Sequence, residues 1–333
     1  MWDPPSNAGV CHIHVTSPQI SCRDREVSLT GSEPNPDQLR RLTRELENFQ
    51  EIAQQLVPLP GEAPVVRGFD IWGGTLPLAG PVGGDHITYV DFKQRFDLPA
   101  RIERARAVGR VDVLENLERC QRKGGVALID VSGHRMTDAL LAAMLHQAFL
   151  LGAIYELDRF GQITRHLFEN LNTRFYQSSG TNKFVSLIYG EISEDAKFRF
   201  LSAGQPYPSV FSHQHDRFME VSPHLCLSFP PLGMMPSFNV IDRNTTPSVL
   251  GFKEGYEINE WTLMGRGDIL LLHSDGVTEH SGPQGAYAPL HLEQTLRRVK
   301  HLTARQIFET ITSDLTTFAR PADDVSLVVI KRA

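Results

Sequence analysis

"LIDVSGHRMTDALLAA", from Leu128 to Ala143, changes character in its middle. An unbroken apolar run stops at a single acid, Asp130, passes Ser132 and Gly133, and becomes a long apolar helical pattern. A buried strand that turns sharply into a helix, with a carboxylate at the junction, is the reading that organises the rest of the chain. Other acids repeat the placement. Asp85 follows "PVGG", Asp275 follows "ILLLHS" and precedes a glycine, and Asp323 with Asp324 opens the final apolar run "VSLVVI". Each stands where a strand meets a turn, the place where a rigid sheet can bring side chains from distant parts of a chain together.

Strand and helix patterns surround these junctions. "RGFDIWGGTLPLAG" and "HITYVDF" read as strands, followed later by "KFVSLIYGEIS", "KFRFLSAG", "YPSVFS", "RFMEVS", "YEINEWTLM", "DILLLHSDG" and "VSLVVIKR". Helices fall in two blocks: Met136 to Leu157 with Phe160 to Gln177, and Leu290 to Val299 with Ala304 to Ala319, the last opened by a Thr303/Gln306 capping box. Runs of strands separated by paired helices predict a layered α+β domain rather than a parallel βαβ sheet. Ahead of it, residues 1–37 form a proline-bearing extension. Residues 38–57 follow, with Leu39, Leu42, Leu46, Phe49, Ala53 and Leu56 at heptad spacing, as one amphipathic helix. That helix either lies along the domain or pairs two copies in a homodimer, and Pro58 and Pro60 end it. The highly charged stretch from Lys93 to Gly124 stands apart, as a helical insertion at about 93–124. It is either a solvated excursion or a docking surface for an acidic or phosphorylated partner.

Composition narrows the function. With 333 residues and 41% hydrophobic content the chain can bury a sizeable core. A net charge of −6 and the lack of basic-aromatic interleaving argue against nucleic acid as a partner. The most apolar segment, Ala139 to Leu157, carries His146, Gln147 and Glu156, which favours a buried helix over a membrane span. Cys11, Cys22, Cys120 and Cys226 are scattered and fit a reducing, cytoplasmic compartment. The grouping of Cys11, His12, His14 and Cys22 fits no standard zinc spacing.

Converging carboxylates repel one another, so they share protons or hold a cation. Oxygen-only ligand sets suit Mg²⁺ or Mn²⁺ better than Zn²⁺. Taken singly, an aspartate in "SDG" or "GGD" is an ordinary turn residue, and only the joint pattern points to a metal site.

"VGGDHITYVDF", "LIDVSGHRMTDALLAA", "FLSAGQPYPSVF", "GDILLLHSDGVTEH" and "ADDVSLVVI", in that order, resemble the bacterial branch of the metal-dependent, type 2C-like protein serine/threonine phosphatases, the sporulation stage II protein E and sigma-factor regulator group. The resemblance covers about residues 60–333. It implies a four-layer αββα sandwich of two antiparallel sheets flanked by helix pairs. It also implies two Mn²⁺ or Mg²⁺ ions held by Asp85, Asp130, the backbone carbonyl of Val131, Asp275 and Asp323, with Asp324 as an alternative to its neighbour. Water activated by the two metals would attack the phosphoryl group with no protein nucleophile. The chain departs from eukaryotic relatives in having Ser132 where they place a histidine, which leaves the general acid open among His134, His86 and His273. Gln205 stands where many relatives have a histidine. The implied substrate is phosphoserine or phosphothreonine on a partner protein, an anti-sigma-factor antagonist in a partner-switching pathway. Two readings compete: a catalytically impaired sensor or scaffold of the same fold, and a metal-dependent phosphodiesterase.

Overall fold

The structure is a computed structural model that describes residues 35–55, 62–78, 80–133, 136–178, 183–238, 250–262 and 264–333. The Cys11–Cys22 grouping, most of the N-terminal extension and His134 lie outside the described residues. The chain divides into two units, residues 1–45 and 46–333. Helix α1 (Pro36–Gln54) begins in the first, where Leu39 and Leu42 are exposed and Arg41 pairs with Glu45 one turn on. Its last turns belong to the second, where Phe49 and Ala53 pack with Val82 and Ala139.

Two sheets make the centre of the second unit. One is antiparallel in the order β1 (Phe69–Leu76), β13 (Val325–Arg332), β10 (Ile269–His273), β6 (Ser209–Ser212), β7 (Arg217–Phe218). The other runs β2 (Asp85–Asp91), β3 (Lys123–Val131), β4 (Val185–Ser193), β5 (Phe198–Ala203), β8 (Ser228–Phe229), with β9 (Asn259–Trp261) also on β5. The second sheet is antiparallel except for the short β5–β8 pair. A small hairpin, β11 (Ser281–Gly282) with β12 (Gly285–Ala286), stands outside both.

The strands carry near-continuous apolar runs because both their faces are covered. Ile87, Leu128, Ile188 and Phe200 of one sheet meet Ile71, Leu270, Val328 and Ile330 of the other in the middle layer. The outer face of the first sheet is covered by α8 (Leu290–Val299) and α9 (Ala304–Phe318), through Leu292, Leu296, Ile307 and Ile311. The outer face of the second is covered by α5 (Met136–Phe160) and α6 (Arg165–Ser178), through Leu145, Phe149, Leu167 and Phe168. The result is the expected four-layer α+β sandwich. The Thr303/Gln306 capping box at the start of α9 is present as read.

Two expectations change. The 93–124 stretch is helical, with α2 (Phe92–Arg95), α3 (Leu98–Ala107) and α4 (Val111–Cys120), but it is no solvated excursion. Leu98, Ile102, Val113 and Leu117 enter the same core as α5, and each leucine buried at 1% exposure stabilises the fold by about 2 kcal/mol. Charge on the outer face hid an apolar inner face. Helix α5 in turn is buried on one side only. Asp138–Phe160 is long and apolar enough to cross a bilayer, yet 39% of that window is buried, and Leu140, Met144, Leu151 and Tyr155 are exposed. Its buried polar groups have partners inside the domain: Glu156, for example, accepts from the Thr164 amide at 2.9 Å.

Candidate metal centre

Strand pairing brings the acids together. In the β2–β3 ladder Asp85 lies directly opposite Asp130, and on the other side of β3 Asp130 lies opposite Ser186 of β4. Because side chains alternate along a strand, this register puts the three groups in one row on one face, and a one-residue slip would scatter them. In the other sheet β10 and β13 are neighbours, with His273 opposite Leu327. The end of β10 therefore delivers Asp275, at the start of α7 (Asp275–Thr278), beside the start of β13, where Asp323 and Asp324 stand. The carboxylates then act on one another. Burial, followed by the charges of Asp275, Asp323 and Asp324, pushes Asp130 up to about 7. Burial and then Asp130 hold Asp85 well above the usual carboxylate range, and burial with Asp323 and Glu279 raises Asp275.

Asp323 and Asp324 separate cleanly. Asp324 is buried, and its Oδ1 accepts from the Leu78 amide at 2.6 Å while its Oδ2 accepts from the Gly84 amide at 2.7 Å. Its oxygens are spent on backbone donors, so it anchors the loop that carries Asp85. Asp323 is exposed and raises both Asp130 and Asp275 by its charge. The alternative assignment of Asp324 as the ligand is therefore the weaker one. The loop it anchors needs its two glycines, since a Cβ on Gly83 would overlap the Asp324 carboxylate and one on Gly84 would crowd the carbonyls of Gly133 and Val131. That contact also brings the Val131 carbonyl against the Asp85 loop.

Several neighbours escaped sequence reading. Ser186 Oγ donates to Asp130 Oδ2 at 3.0 Å and itself accepts from Gln205 Nε2 at 2.9 Å, so a buried relay orients the Asp130 carboxylate. Gln205 thus has a structural task at the position where a histidine was expected. Beyond Asp130, Lys183 Nζ donates to the Ser132 carbonyl at 2.5 Å and pairs at 2.8 Å with Asp138, which is fully buried in the first turn of α5. This clamp ties the segment leading into β4, the Ser132–Gly133 turn and α5 together. Nothing in the sequence distinguished Lys183 or Asp138 from ordinary surface charges.

The histidines divide as well. His86 Nε2 is 2.8 Å from His146 Nδ1, which is also 2.8 Å from Thr88 Oγ1. Burial lowers His86 to about 3 and His146 to about 4, so both are neutral at ordinary pH. His273 is buried beside Ser209 and the Ser274 carbonyl and is lowered by burial. His86 and His273 are both buried in the fold. Asp91 caps α2 by accepting from the Lys93 and Gln94 amides and also accepts from Val65. Burial raises the thiols of Cys120 and Cys226, neither of which is a ready nucleophile.

One oxygen supports a cation here. Asp85 Oδ2 is buried and has no hydrogen-bond partner, and a buried anionic oxygen left so is costly unless a proton or metal supplies the missing charge. Asp85, Asp130, Asp275 and Asp323 make a hard, oxygen-only donor set that fits Mg²⁺ or Mn²⁺. Among the described residues no group of three or more His, Cys, Asp or Glu side chains is placed so as to hold a metal ion between them.

Comparison with known proteins gives this arrangement its class. Residues 121–333 match the profile of the family described as Stage II sporulation protein E (SpoIIE). The chain belongs to that family. It is 22% identical over 300 residues to the phosphoserine phosphatase RsbU of Bacillus subtilis (strain 168), covering 88% of this chain and 73% of RsbU. Among solved structures it superposes on the SiaA-PP2C domain of Pseudomonas aeruginosa with a TM-score of 0.57 at 13% identity, covering 88% of this chain and 98% of that one. With the RsbU and RsbW domains of Rv1364c from Mycobacterium tuberculosis the TM-score is 0.54 at 20% identity, over 83% of this chain. The chain spans 64% of that mycobacterial chain, less than two thirds. These likenesses establish the shared fold.

Proposed function

We propose that the chain is a metal-dependent phosphatase that hydrolyses phosphoserine or phosphothreonine on a partner protein, with Asp85, Asp130, Asp275, Asp323 and the Val131 carbonyl holding two divalent ions. The observation that carries this reading is the pair of carboxylates, Asp85 and Asp130, set opposite each other by strand register, with Asp85 Oδ2 left unpartnered. When bound, the ions would lower the pKa of a water and neutralise phosphoryl charge. The chain's own groups do the rest. Ser186 and Gln205 orient Asp130, Asp324 fixes the loop bearing Asp85, and the Lys183–Asp138 clamp holds the turn after Val131. The relation to a phosphoserine phosphatase supports phosphoserine as the group removed, and an anti-sigma-factor antagonist as its carrier is proposed from the motif resemblance.

The test is hydrolysis of a phosphoserine peptide, and of p-nitrophenyl phosphate, with Mn²⁺, with Mg²⁺ and with EDTA. Turnover with either metal that EDTA abolishes is the expected result. A folded protein that binds neither ion and cleaves neither substrate would make the chain a sensor or scaffold. Cleavage of a phosphodiester but not of the phosphopeptide would move it to the phosphodiesterases.

Residues 38–57 are proposed to join two copies, because Leu39, Leu42 and Leu46 of α1 are more than half exposed, at 54%, 57% and 51%. Sedimentation velocity reads this directly. The native chain should run as a dimer and Leu42→Asp as a monomer, and a native monomer at micromolar concentration removes the idea.

A further inference from the structure

At the opposite end of the second sheet from the carboxylates lies a cavity of about 830 Å³, walled by α4, the first residues of β3, the β4–β5 turn and β9. Its volume falls within the range of small-molecule sites, about 300–1,000 Å³. We propose that it binds a small molecule carrying two or more phosphate groups.

Charge is the first argument. Arg67, Arg119, Arg122, Lys197 and Arg199 line the walls, against Glu194, Asp195 and Glu260, which leaves an excess of two positive charges (five against three). The chain as a whole carries −6, so this face collects cations against the trend of the molecule. Lys123 and Glu191 complete the lining but cancel each other. They form a 2.6 Å ion pair at 9% and 6% exposure, and Tyr189 donates to Glu191 at 2.8 Å, which makes a fixed floor with no charge to spare.

Donor chemistry is the second argument. Four of the five wall cations are arginines, whose planar forks match phosphate oxygens in pairs. Their existing ion pairs are long: 3.7 Å for Arg67 with Glu194, 3.7 Å for Arg119 with Glu115 one turn back on α4, and 3.6 Å for Arg199 with Glu260. Among the described residues Arg122 has no carboxylate within ion-pair reach. Asn116, Gln162 and Ser193 add neutral hydrogen-bonding groups, and no aromatic ring lines the cavity. A phosphorylated polyol or a bare polyphosphate satisfies such walls, whereas a nucleobase would find nothing to stack on.

Position is the third. Lys123 opens β3 and Asp130 stands seven residues on, so the cavity floor and the carboxylates are about 23 Å apart along one strand. The site is therefore separate from the proposed metal centre and does not depend on the phosphatase reading.

Titration calorimetry with inorganic pyrophosphate tests this in EDTA at fixed ionic strength, so that no metal bridges the anion to the carboxylates. The native chain should bind with a Kd tighter than about 1 mM, and inorganic phosphate about tenfold more weakly. Arg119→Glu and Arg122→Glu should each weaken pyrophosphate at least about tenfold while unfolding at the native temperature, because Arg119 is 73% exposed and Arg122 is exposed. Asp130→Asn should bind as the native chain does. No binding up to about 10 mM overturns the proposal, as do equal affinities for phosphate and pyrophosphate, indifference to both reversals, or loss of binding in Asp130→Asn.

Discussion

An Asp130→Asn chain is expected to fold, to lose at least ~10³-fold of the metal-dependent hydrolysis, about 4 kcal/mol of transition-state stabilisation, and, stripped of metal, to unfold at a higher temperature than the native protein. The loss follows from removing the charge set opposite Asp85. The gain in stability follows from the same charge. Asp130 sits at about 7 in the folded protein, against an ordinary value of 3.8, so folding favours its protonated form. For an acid raised in this way the penalty is absent below the unfolded value, grows as the pH climbs from about 4 to about 7, and is full above that. The metal-free native chain should therefore lose melting temperature across that interval, and the asparagine variant should lose less. Ser186 keeps its partner, because the asparagine carbonyl accepts as the carboxylate did. A variant that fails to fold, or a folded one with native turnover, would remove Asp130 from the centre of the site.

Asp324→Ala should do the reverse, costing stability first and activity through it. The substitution strips acceptors from the Leu78 and Gly84 amides, and the loss of a buried partner costs about 1–3 kcal/mol per group, so about 3 kcal/mol is expected in denaturant unfolding. Asp324→Asn keeps one acceptor and should recover about half of that. The Asp85 loop would no longer be held, so hydrolysis should fall even at temperatures where the variant remains folded. If Asp324→Ala were as stable as the native chain yet inactive, Asp324 would be acting on the metal and Asp323 would be the bystander.

The division between Asp323 and Asp324 illustrates what a sequence can reveal here. Apolar runs with acids at one end or the other marked the strands and the four junctions, because burial on both faces writes itself into composition. Two adjacent aspartates offer no such signal: which of them turns inward depends on the backbone amides of residues 78 and 84, some 240 positions away. The relay from Gln205 through Ser186 and the clamp between Lys183 and Asp138 are invisible for the same reason, since each residue is unremarkable until strand register supplies its partner. His86 misled in the opposite direction. Its place beside a motif suggested proton transfer, while its true neighbour, His146, comes from a helix 60 residues later. In the 93–124 stretch, abundant charge outweighed the spacing of Leu98, Ile102, Val113 and Leu117, which marks an inward face.

The dependence of the Asp85 loop on Asp324 has a consequence for how the protein is made. Strand β1 pairs along its whole length with β13, and the loop after it is fastened by a residue 240 positions downstream. A nascent chain on the ribosome can complete the second sheet, with Asp85 already opposite Asp130, while residues 323 to 332 are still in the exit tunnel. At that stage one of the four acids, Asp323, is missing, and the loop lacks its Asp324 anchor. Strand β13 thus joins β1 to β10 in the first sheet and brings Asp323 to the proposed metal centre in one step.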